Sequence, residues 1–295
     1  MDIFIAQLIN GLVTGAIYAL MVVSFNFLLQ IKGIFQWSLA HMTVMCMYVI
    51  WIVMKITGQN TILSLILGIM ASIITGVVLS VITEPIFRPM AERGVYLESL
   101  IVAIGVGIIL TNLMSKFVNR GQPISFADIL IAEGGRIKAG VIMFSMTDLL
   151  TLAVSTLMVL GLFWLLYKSQ FGRAFRAIAQ NLRKARLMGI PINYMGITSF
   201  AIAGLVAGIS GVLLAMKLGI ANAGLGDTLA LIGLSIVLVA GAGNLIGGLV
   251  MSFVMGIIQN MTITYLPGIW SDAFIYGAIV LILVIKPLGL FGAKV

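Results

Sequence analysis

The stretch "IAQLINGLVTGAIYALMVVSFNFLLQ", residues 5–30, contains no charged side chain. A helix of about 20 apolar residues crosses the hydrocarbon core of a membrane, so this stretch is long enough to span a bilayer. It is also too long and too continuously apolar for the alternating strands of about ten residues that build a membrane barrel. The stretch therefore predicts a membrane-spanning helix.

The composition of the whole chain repeats this pattern. Hydrophobic residues make up 61% of the 295 residues and charged residues only 9%, with a mean hydropathy of +1.20. So few charges cannot keep a chain of this length in water, and we expect an all-α integral membrane protein, a polytopic bundle of about eight or nine transmembrane helices. The predicted spans lie near 5–30, 39–56, 61–82, 97–115, 148–167, 196–216, 228–241, 245–263 and 272–290.

No long linker or polar domain separates these spans. We therefore expect residues 1–295 to form a single transmembrane domain with no room for a nucleotide-binding fold. Residues 1–9 lack a basic region and a cleavage site, so the first helix is expected to be retained rather than removed as a signal peptide. Cys46 is the only cysteine, which excludes an intrachain disulfide and a cysteine metal site, and we expect no metal site.

Lysine and arginine residues concentrate in the segment 168–195. Short basic loops of membrane proteins stay in the cytoplasm, so counting spans from this segment places the N-terminus outside and the C-terminus inside. Residues 118–147 then form an exterior loop. Apolar alternation around Gly134 and Gly135 predicts a small hairpin there.

The same basic segment has an internal order that a topological anchor alone does not need. Phe171, Phe175 and Ile178 recur at helical spacing. Asn181 is placed to cap a second helix over 182–188, which is expected to end at Gly189 before a proline. Two short helices on the cytoplasmic face predict a docking site for another protein.

Two stretches interrupt the helical pattern, one at 31–41 and one at 228–248. The second, "LALIGLSIVLVAGAGNLIGG", breaks at Gly241–Asn244 and reads either as a tight turn or as a half-helix that re-enters the membrane. Non-helical backbone at membrane depth is tolerated only against protein or a water-filled cavity. The two breaks therefore predict the lining of a transport path, and they also suggest two halves of an internal repeat.

Small residues recur at four-residue steps in three spans. Such stripes let helix backbones approach closely, and helix packing within the chain is the expected role. The alternative is that they face a partner subunit or the path. The stripes consist of Gly11, Gly15 and Ala19, then Gly204 and Gly208, then Gly248, Ser252 and Gly256.

The spans are expected to carry no Asp or Glu at mid-depth. A carrier coupled to protons or sodium usually needs a buried carboxylate, so its absence argues against that class. His41 has no acidic neighbour in the sequence, so it is expected to pack or hydrogen-bond rather than to relay protons or bind a metal. An intramembrane hydrolase would need a nucleophile with a base, and we expect no catalytic residue.

Six motifs in order resemble one family: the permease subunits of bacterial ABC importers for branched-chain amino acids, of the LivH type. Each motif is short, and the resemblance rests on their shared order and spacing over nearly the whole chain. The motifs are "NGLVTGAIYAL" (10–20), "EPIFRPM" (84–90), "LIVAIGVGIILTN" (100–112), "FGRAFRAIAQNLRKARLMGI" (171–190), "SFAIAGLVAGISGVLLA" (199–215) and "KPLGLFG" (286–292).

This resemblance implies a subunit that lines the path of an ATP-driven importer in the bacterial inner membrane. The expected partners are a second permease, LivM-like or a copy of this chain, two ABC ATPase subunits, a periplasmic or extracellular solute-binding protein and membrane lipid, with no nucleic acid. ATP and Mg would be bound by the ATPase subunits, so no cofactor is expected in this chain. The segment 168–195 would be the cytoplasmic coupling loop.

Two sets of candidate residues follow. The residues expected to couple to the ATPases are Gly172, Arg173, Arg176, Ala177, Asn181, Ala185, Gly189, Ile190 and Pro191. The residues expected along the translocation path are Asn10, Gly11, Gly15, Tyr18, Trp37, Ser38, His41, Gly243 and Asn244.

The chain also departs from the family pattern. Where relatives carry an Asn-Phe-Ala-His-Gly run, this chain reads "FQWSLAHM", which keeps His41 but lacks the Asn and the Gly. The substrate therefore stays open: branched-chain or other hydrophobic amino acids come first, and urea, amides or sugars are alternatives. An ion-independent secondary carrier is the alternative from another class.

Overall fold

The computed structural model describes residues 2–58, 62–126, 137–139, 142–266, 271–286 and 289–291. Eleven α-helices lie in these ranges, and seven of them are long and apolar enough to cross a membrane: α1, α2, α3, α4, α5, α8 and α10. The helices are α1 (Asp2–Lys32), α2 (Ser38–Thr57), α3 (Ile62–Arg93), α4 (Tyr96–Phe117), α5 (Met146–Lys168), α6 (Gln170–Gln180), α7 (Leu182–Leu187), α8 (Ile192–Leu218), α9 (Leu225–Ala240), α10 (Leu245–Tyr265) and α11 (Ser271–Ile285).

This arrangement confirms the predicted polytopic helical bundle, and each predicted span corresponds to one helix. The largest difference is in α3, which runs to Arg93 instead of ending at 82. Its last turns contain Pro85 and Pro89 and an ion pair between Glu84 and Arg88. Hydropathy alone ends the span where charges begin, whereas the helix continues past the hydrocarbon boundary because its backbone hydrogen bonds do not depend on lipid.

Two short antiparallel strand pairs lie outside the bundle. Strand β1 (Ile124–Ser125) pairs with β4 (Ile220–Ala221), and β2 (Ile137–Ala139) pairs with β3 (Ile142–Phe144). The second pair is the hairpin expected in the exterior loop, though further along the chain than predicted. Gly134 and Gly135, around which it was expected, lie outside the described residues.

Small residues bring α1 against α10 and α3 against α8. A Cβ on Gly15 of α1 would lie 2.7 Å from the Cα of Phe253 and 3.0 Å from the carbonyl oxygen of Ser252 on α10. A Cβ on Gly208 of α8 would lie at the same two distances from Ile73 and Ser72 on α3. Since no larger residue fits such contacts, the stripes act as helix-packing surfaces, as predicted.

These matched contacts belong to an internal repeat that relates α1–α3 to α8–α10. "GLVTG" at 11–15 corresponds to "GLVAG" at 204–208, and "GIMASIITG" at 68–76 corresponds to "GLVMSFVMG" at 248–256. Both helix pairs are antiparallel, because contacts advance along one helix as they retreat along the other. The equivalent helices α1 and α8 also run antiparallel, because Lys32 at the end of α1 lies beside Gly196 near the start of α8, and Asn10 near the start of α1 bonds Lys217 near the end of α8. The second repeat therefore crosses the membrane in the direction opposite to the first.

The connections of the two repeats correspond as well. Helix α1 ends at Gly33 with a φ of 65° and α8 ends at Gly219 with a φ of 66°. The next helices end at Gly58 (φ 94°, ψ 119°) and Gly241 (φ 98°, ψ 117°). Both halves of the repeat are thus built on similar backbone turns.

The repeat also relocates one of the two predicted breaks. The first lies at 33–37, close to the predicted position. The equivalent break in the second repeat is 219–224, between α8 and α9, which the hydropathy pattern did not reveal. Residues 241–244, which were expected to form it, make a tight turn between α9 and α10, where the amide of Asn244 donates to the carbonyl oxygen of Gly241.

Candidate functional site

The segment 168–195, which is expected to be the coupling loop, folds into the two short helices α6 and α7, each with a side-chain cap. Ser169 accepts a hydrogen bond from the backbone N–H of Gly172 at 3.0 Å, and Asn181 accepts one from Lys184 at 2.9 Å. Two residues after the end of α7, Gly189 has a φ of +80°, the left-handed conformation that glycine adopts readily. The amide of Ile190 then donates to the carbonyl of Ala185 and closes the turn. The predicted cap and helix stop are both present.

Helix α6 is anchored on α1 through its apolar face. Phe175 is fully buried, and its ring meets that of Phe27 edge to face with 5.5 Å between centroids. The buried face consists of Gly172, Phe175 and Ile178. Phe171 was expected on this face but is 43% exposed, because the helix packs the flat backbone of Gly172 against the end of α5 instead.

The arginines of α6 differ in their surroundings. Arg176 donates a hydrogen bond to the carbonyl of Leu166, and its guanidinium lies 5.7 Å from the ring centre of Tyr167. It therefore ties α6 to the last turn of α5. Arg173 is exposed and Ala177 is half-buried, so only Arg173 of these three is free to meet another protein.

Helix α7 is tied to α3 and presents an apolar tip. Arg186 forms an ion pair with Glu92 near the end of α3 at 2.8 Å. The side chains of Leu187 and Met188 are each 83% exposed, next to the exposed Gly189 and Pro191. Exposed apolar residues beside a basic helix are typical of a protein-docking surface.

A buried ionic cluster lies where the coupling helices meet the bundle. Glu84 on α3 is fully buried between Lys32 of α1, at 3.7 Å, and Arg88, at 2.5 Å. A Cβ on Gly196, just after the start of α8, would lie 2.5 Å from Oε1 of Glu84 and 2.7 Å from Nζ of Lys32. Helix α8 begins after the coupling loop and Lys32 precedes the first break, so the cluster connects these two elements.

The first turns of α2 and α9 meet at a His–Asp pair. Nε2 of His41 lies 3.0 Å from Oδ1 of Asp227. The side chain of His41 is only 1% exposed, whereas that of Asp227 is 59% exposed. The expectation that His41 has no acid nearby is therefore wrong.

Two glycines make room for the imidazole of His41. A Cβ on Gly107 would lie 2.9 Å from its Nδ1, and a Cβ on Gly226 would lie 2.5 Å from its Cδ2. Gly107 is near the midpoint of the membrane-spanning helix α4, so the His41–Asp227 pair lies deep in the membrane. Nδ1 of His41 has no hydrogen-bond partner among the described residues.

Neither helix that begins at this pair has a side-chain cap. The N-cap of α2 is Trp37 and that of α9 is Gly224, and within the described chain neither makes a side-chain cap hydrogen bond. Ser38, in the first turn of α2, is buried and its hydroxyl also lacks a partner among the described residues. The N-terminal amides of two helices, with their partial positive charge, therefore converge beside a carboxylate.

The exposed face around Asp227 differs from the lipid-like face of α3. From Ile62 to Ile82, the exposed side chains of α3 are all large and apolar. Seven exposed apolar residues recur at four-residue steps along α3: Ile62, Ile66, Met70, Ile74, Val78, Ile82 and Ile86. Helix α9 exposes Asp227, Thr228 and Leu231, and α4 exposes Ile104 and Ile108 nearby. A carboxylate at this depth is costly against lipid, by roughly 2.5–3.5 kcal/mol or more, so this face belongs against protein or water.

The structure brings only some of the predicted path residues together. Trp37, Ser38 and His41 lie at the first break. Gly243 and Asn244 lie at the far end of α9, about 24 Å away at 1.5 Å per residue, where the amide of Gly243 donates to Asn26 and Asn244 caps α10.

The other predicted path residues belong to helix contacts. Gly11 and Gly15 pack on α10. Asn10 accepts a hydrogen bond from Lys217, which also pairs with Asp148 at 2.8 Å. The hydroxyl of Tyr18 donates to Gln259 at 2.5 Å.

Sequence reasoning missed Asp227, Gly226 and Gly107. Hydropathy placed the start of the span at 228, which assigned Asp227 to the loop before it. The signal that finds Gly226 and Asp227 is the repeat: aligning Gly33 with Gly219 places 219–224 opposite the break at 33–37, and Asp227 opposite the first turn of α2. Gly107 lies on α4, outside the repeat, and the repeat does not find it.

Comparison with known proteins agrees with this architecture. The model of the family described as "Branched-chain amino acid transport system / permease component" matches residues 7–283. The chain is 25% identical over 297 residues to the high-affinity branched-chain amino acid transport system permease protein BraD of Pseudomonas aeruginosa, covering 98% of this chain and 96% of that protein. It is 24% identical to LivH of Escherichia coli over 299 residues, with the same coverage.

A shorter match also occurs. The autoinducer 2 import system permease protein LsrC of Yersinia pestis is 30% identical over 135 residues, which cover 43% of this chain and 38% of that protein. No solved structure matches the chain.

Proposed function

Because the chain belongs to the permease family of branched-chain amino acid transport systems, we propose that it forms the translocation path of an ATP-driven importer for branched-chain or other hydrophobic amino acids. The family and the apolar helices make it a multi-pass inner-membrane transport subunit. The substrate, the partners and the coupling to ATPases are the parts that we propose.

The observation that carries the coupling proposal is the attachment of α6 and α7 to the bundle. Phe175 holds α6 against α1, and Arg186 holds α7 against α3. Their outer side leaves Leu187 and Met188 exposed. An element that transmits motion from an ATPase must be attached firmly to the bundle on one side and expose a contact surface on the other.

In this proposal, two ABC ATPase subunits bind ATP and Mg and dock on the coupling loop, 168–195. Closure of the ATPases on ATP moves α6 and α7, and with them the ends of α1 and α3. The buried Lys32–Glu84 pair lies between these ends and the start of α8. The motion would thereby reach the break at 33–37 and change which side of the membrane the path faces.

A second permease is proposed to cover the face formed by α4 and α9. This face exposes Asp227 at membrane depth, where lipid would be unfavourable. The partner is LivM-like or a copy of this chain. A periplasmic or extracellular solute-binding protein would deliver the substrate to the outer side, with the N-terminus outside and the C-terminus in the cytoplasm.

The partial match to an autoinducer 2 permease supports a second candidate, an importer of the same kind for a small substrate other than an amino acid. The two candidates share the path and the coupling loop and differ in what the solute-binding protein delivers.

The test is purification of the tagged chain in mild detergent from its native membrane, with mass spectrometry of the retained proteins. Recovery of two ATPase subunits and a second permease supports the proposal, and the ligand bound to a co-purified solute-binding protein names the substrate. A chain that purifies alone and transports without ATP would instead be a secondary carrier.

A further inference from the structure

We propose that Asp227 binds the ammonium group of a zwitterionic amino acid as it passes through the membrane. This inference rests on the proposed function and names the chemistry by which the path would recognise its substrate. It starts from the relationship between His41 and Asp227, which the sequence did not reveal.

One oxygen of the Asp227 carboxylate has a partner within the protein, and the other is open. His41 contacts Oδ1, and the side chain remains 59% exposed, which leaves Oδ2 open to a ligand. The imidazole is packed between Gly107 and Gly226, so it fixes the direction of the carboxylate. A pre-oriented carboxylate with one open oxygen is suited to an ammonium donor, since such charge-assisted hydrogen bonds are among the strongest.

The second charged group of the same ligand also finds a complementary environment. The first turns of α2 and α9 both begin at this point and lack side-chain caps within the described chain. The N-terminal ends of the two helix dipoles carry partial positive charge and attract carboxylates. A zwitterion therefore has a partner for each charge, whereas a urea, an amide or a sugar brings only neutral donors and no cationic group to Asp227.

The adjoining surface suits a branched hydrocarbon side chain. Leu231 lies one turn beyond Asp227 on the same face of α9 and is 43% exposed. Ile104 and Ile108 of α4, on either side of Gly107, are 37% and 55% exposed. The charged pair is thus bordered by apolar side chains, which fits hydrophobic amino acids better than polar ones.

The experiment uses the complete complex in proteoliposomes, with its solute-binding protein, and measures ATP-driven uptake of radiolabelled L-leucine. Asp227→Asn removes the charge but keeps an oxygen that accepts a hydrogen bond from His41. We expect leucine uptake to fall at least tenfold, with complex assembly unchanged. Asp227→Glu should recover a substantial part of the uptake. Glu98→Gln, which neutralises an exposed carboxylate in the first turn of α4, is the matched control and should transport like the wild type.

Two results overturn the inference, and they are distinguishable. If the wild type transports leucine and Asp227→Asn transports within twofold of it, Asp227 is not an ammonium site and the proposed function stands. If the wild-type complex shows no ATP-driven leucine uptake, the proposed substrate class fails and the ammonium site with it. Should Asp227→Asn impair assembly, Asp227→Ser is the second neutral variant and is judged by the same twofold limit.

Discussion

Lys32 and Glu84 form an ion pair of 3.7 Å in the interior of the protein, with side chains that are 3% and 0% exposed. The pair joins the last turn of α1 to α3 and lies against the backbone of α8 at Gly196. In the proposed mechanism, motion of the segment 168–195 would enter the bundle at this pair, so removing the pair should lower both stability and transport.

Glu84→Gln is expected to destabilise the protein by about 3–5 kcal/mol, because it leaves the buried Lys32 without a counter-charge. The measurement is thermal unfolding of the purified complex in detergent. Glu92→Gln is the control, since its partner Arg186 is more than half exposed and surface pairs contribute roughly 0–1 kcal/mol. Equal melting temperatures for the two variants would contradict this account.

Arg186→Glu should uncouple ATP hydrolysis from transport while leaving the fold intact. The change replaces the attraction to Glu92 on α3 with repulsion between like charges. We expect substrate-stimulated ATP hydrolysis to drop severalfold and basal hydrolysis to stay the same. The reversed pair, Arg186→Glu with Glu92→Arg, should restore stimulation, and a reversed pair that behaves like the single variant would show that the contact is not used.

Gly189→Val should impair coupling because a β-branched residue is strained at a φ of +80°, with a local cost of roughly 1–2 kcal/mol. The strain would move Met188 and Ile190, which flank the turn. Substrate-stimulated ATP hydrolysis is the measurement. Gly189→Asn is the control and should retain most of the stimulation, because asparagine tolerates the left-handed conformation. If Gly189→Val were stimulated like the wild type, Gly189 would have no role in coupling.

Gly15→Leu and Gly208→Leu should destabilise the bundle to a similar extent, by about 3 kcal/mol or more, because each side chain would collide with a neighbouring backbone at the same distances. Yield and melting temperature of the purified protein report this. Gly161→Leu on α5 is the control, as a Cβ there meets no atom within 4 Å. If Gly15→Leu and Gly208→Leu lowered the stability by different amounts, the two helix contacts would not contribute equally to it.

Gly107→Ala should lower transport without preventing assembly, because the added Cβ displaces the ring of His41 and turns Asp227. Uptake and complex recovery are measured side by side. Gly105→Ala is the neighbouring control on α4, with no atom within 4 Å of its Cβ. Transport that is the same in both variants would mean that the position of His41 does not matter.

Local patterns predicted most of the helices correctly, for a physical reason. A span such as 5–30 must be apolar along its whole length to lie in lipid, so hydropathy alone finds it. Asn181 and Gly189 were predicted for a similar reason, since a helix cap acts within one turn of the residue that makes it.

The central pair could not be predicted this way. His41 and Asp227 are far apart in the sequence and meet only because the two repeats fold against each other. Gly172 is buried and Phe171 is exposed for a similar reason, because this arrangement depends on a tertiary contact. The spacing of apolar residues shows that a helix has an apolar face, but it does not show which neighbouring surface that face packs against.

The inverted repeat has a consequence for how the path opens. Gly33 and Gly219 give the two halves the same turn, and Gly58 and Gly241 give them a second one. Suppose that each half adopted the conformation of the other. The backbone would then be nearly the same structure inverted in the membrane, and the path would open on the side where it had been closed. One fold thus supplies two related end states, and in the proposed importer ATP binding would select between them.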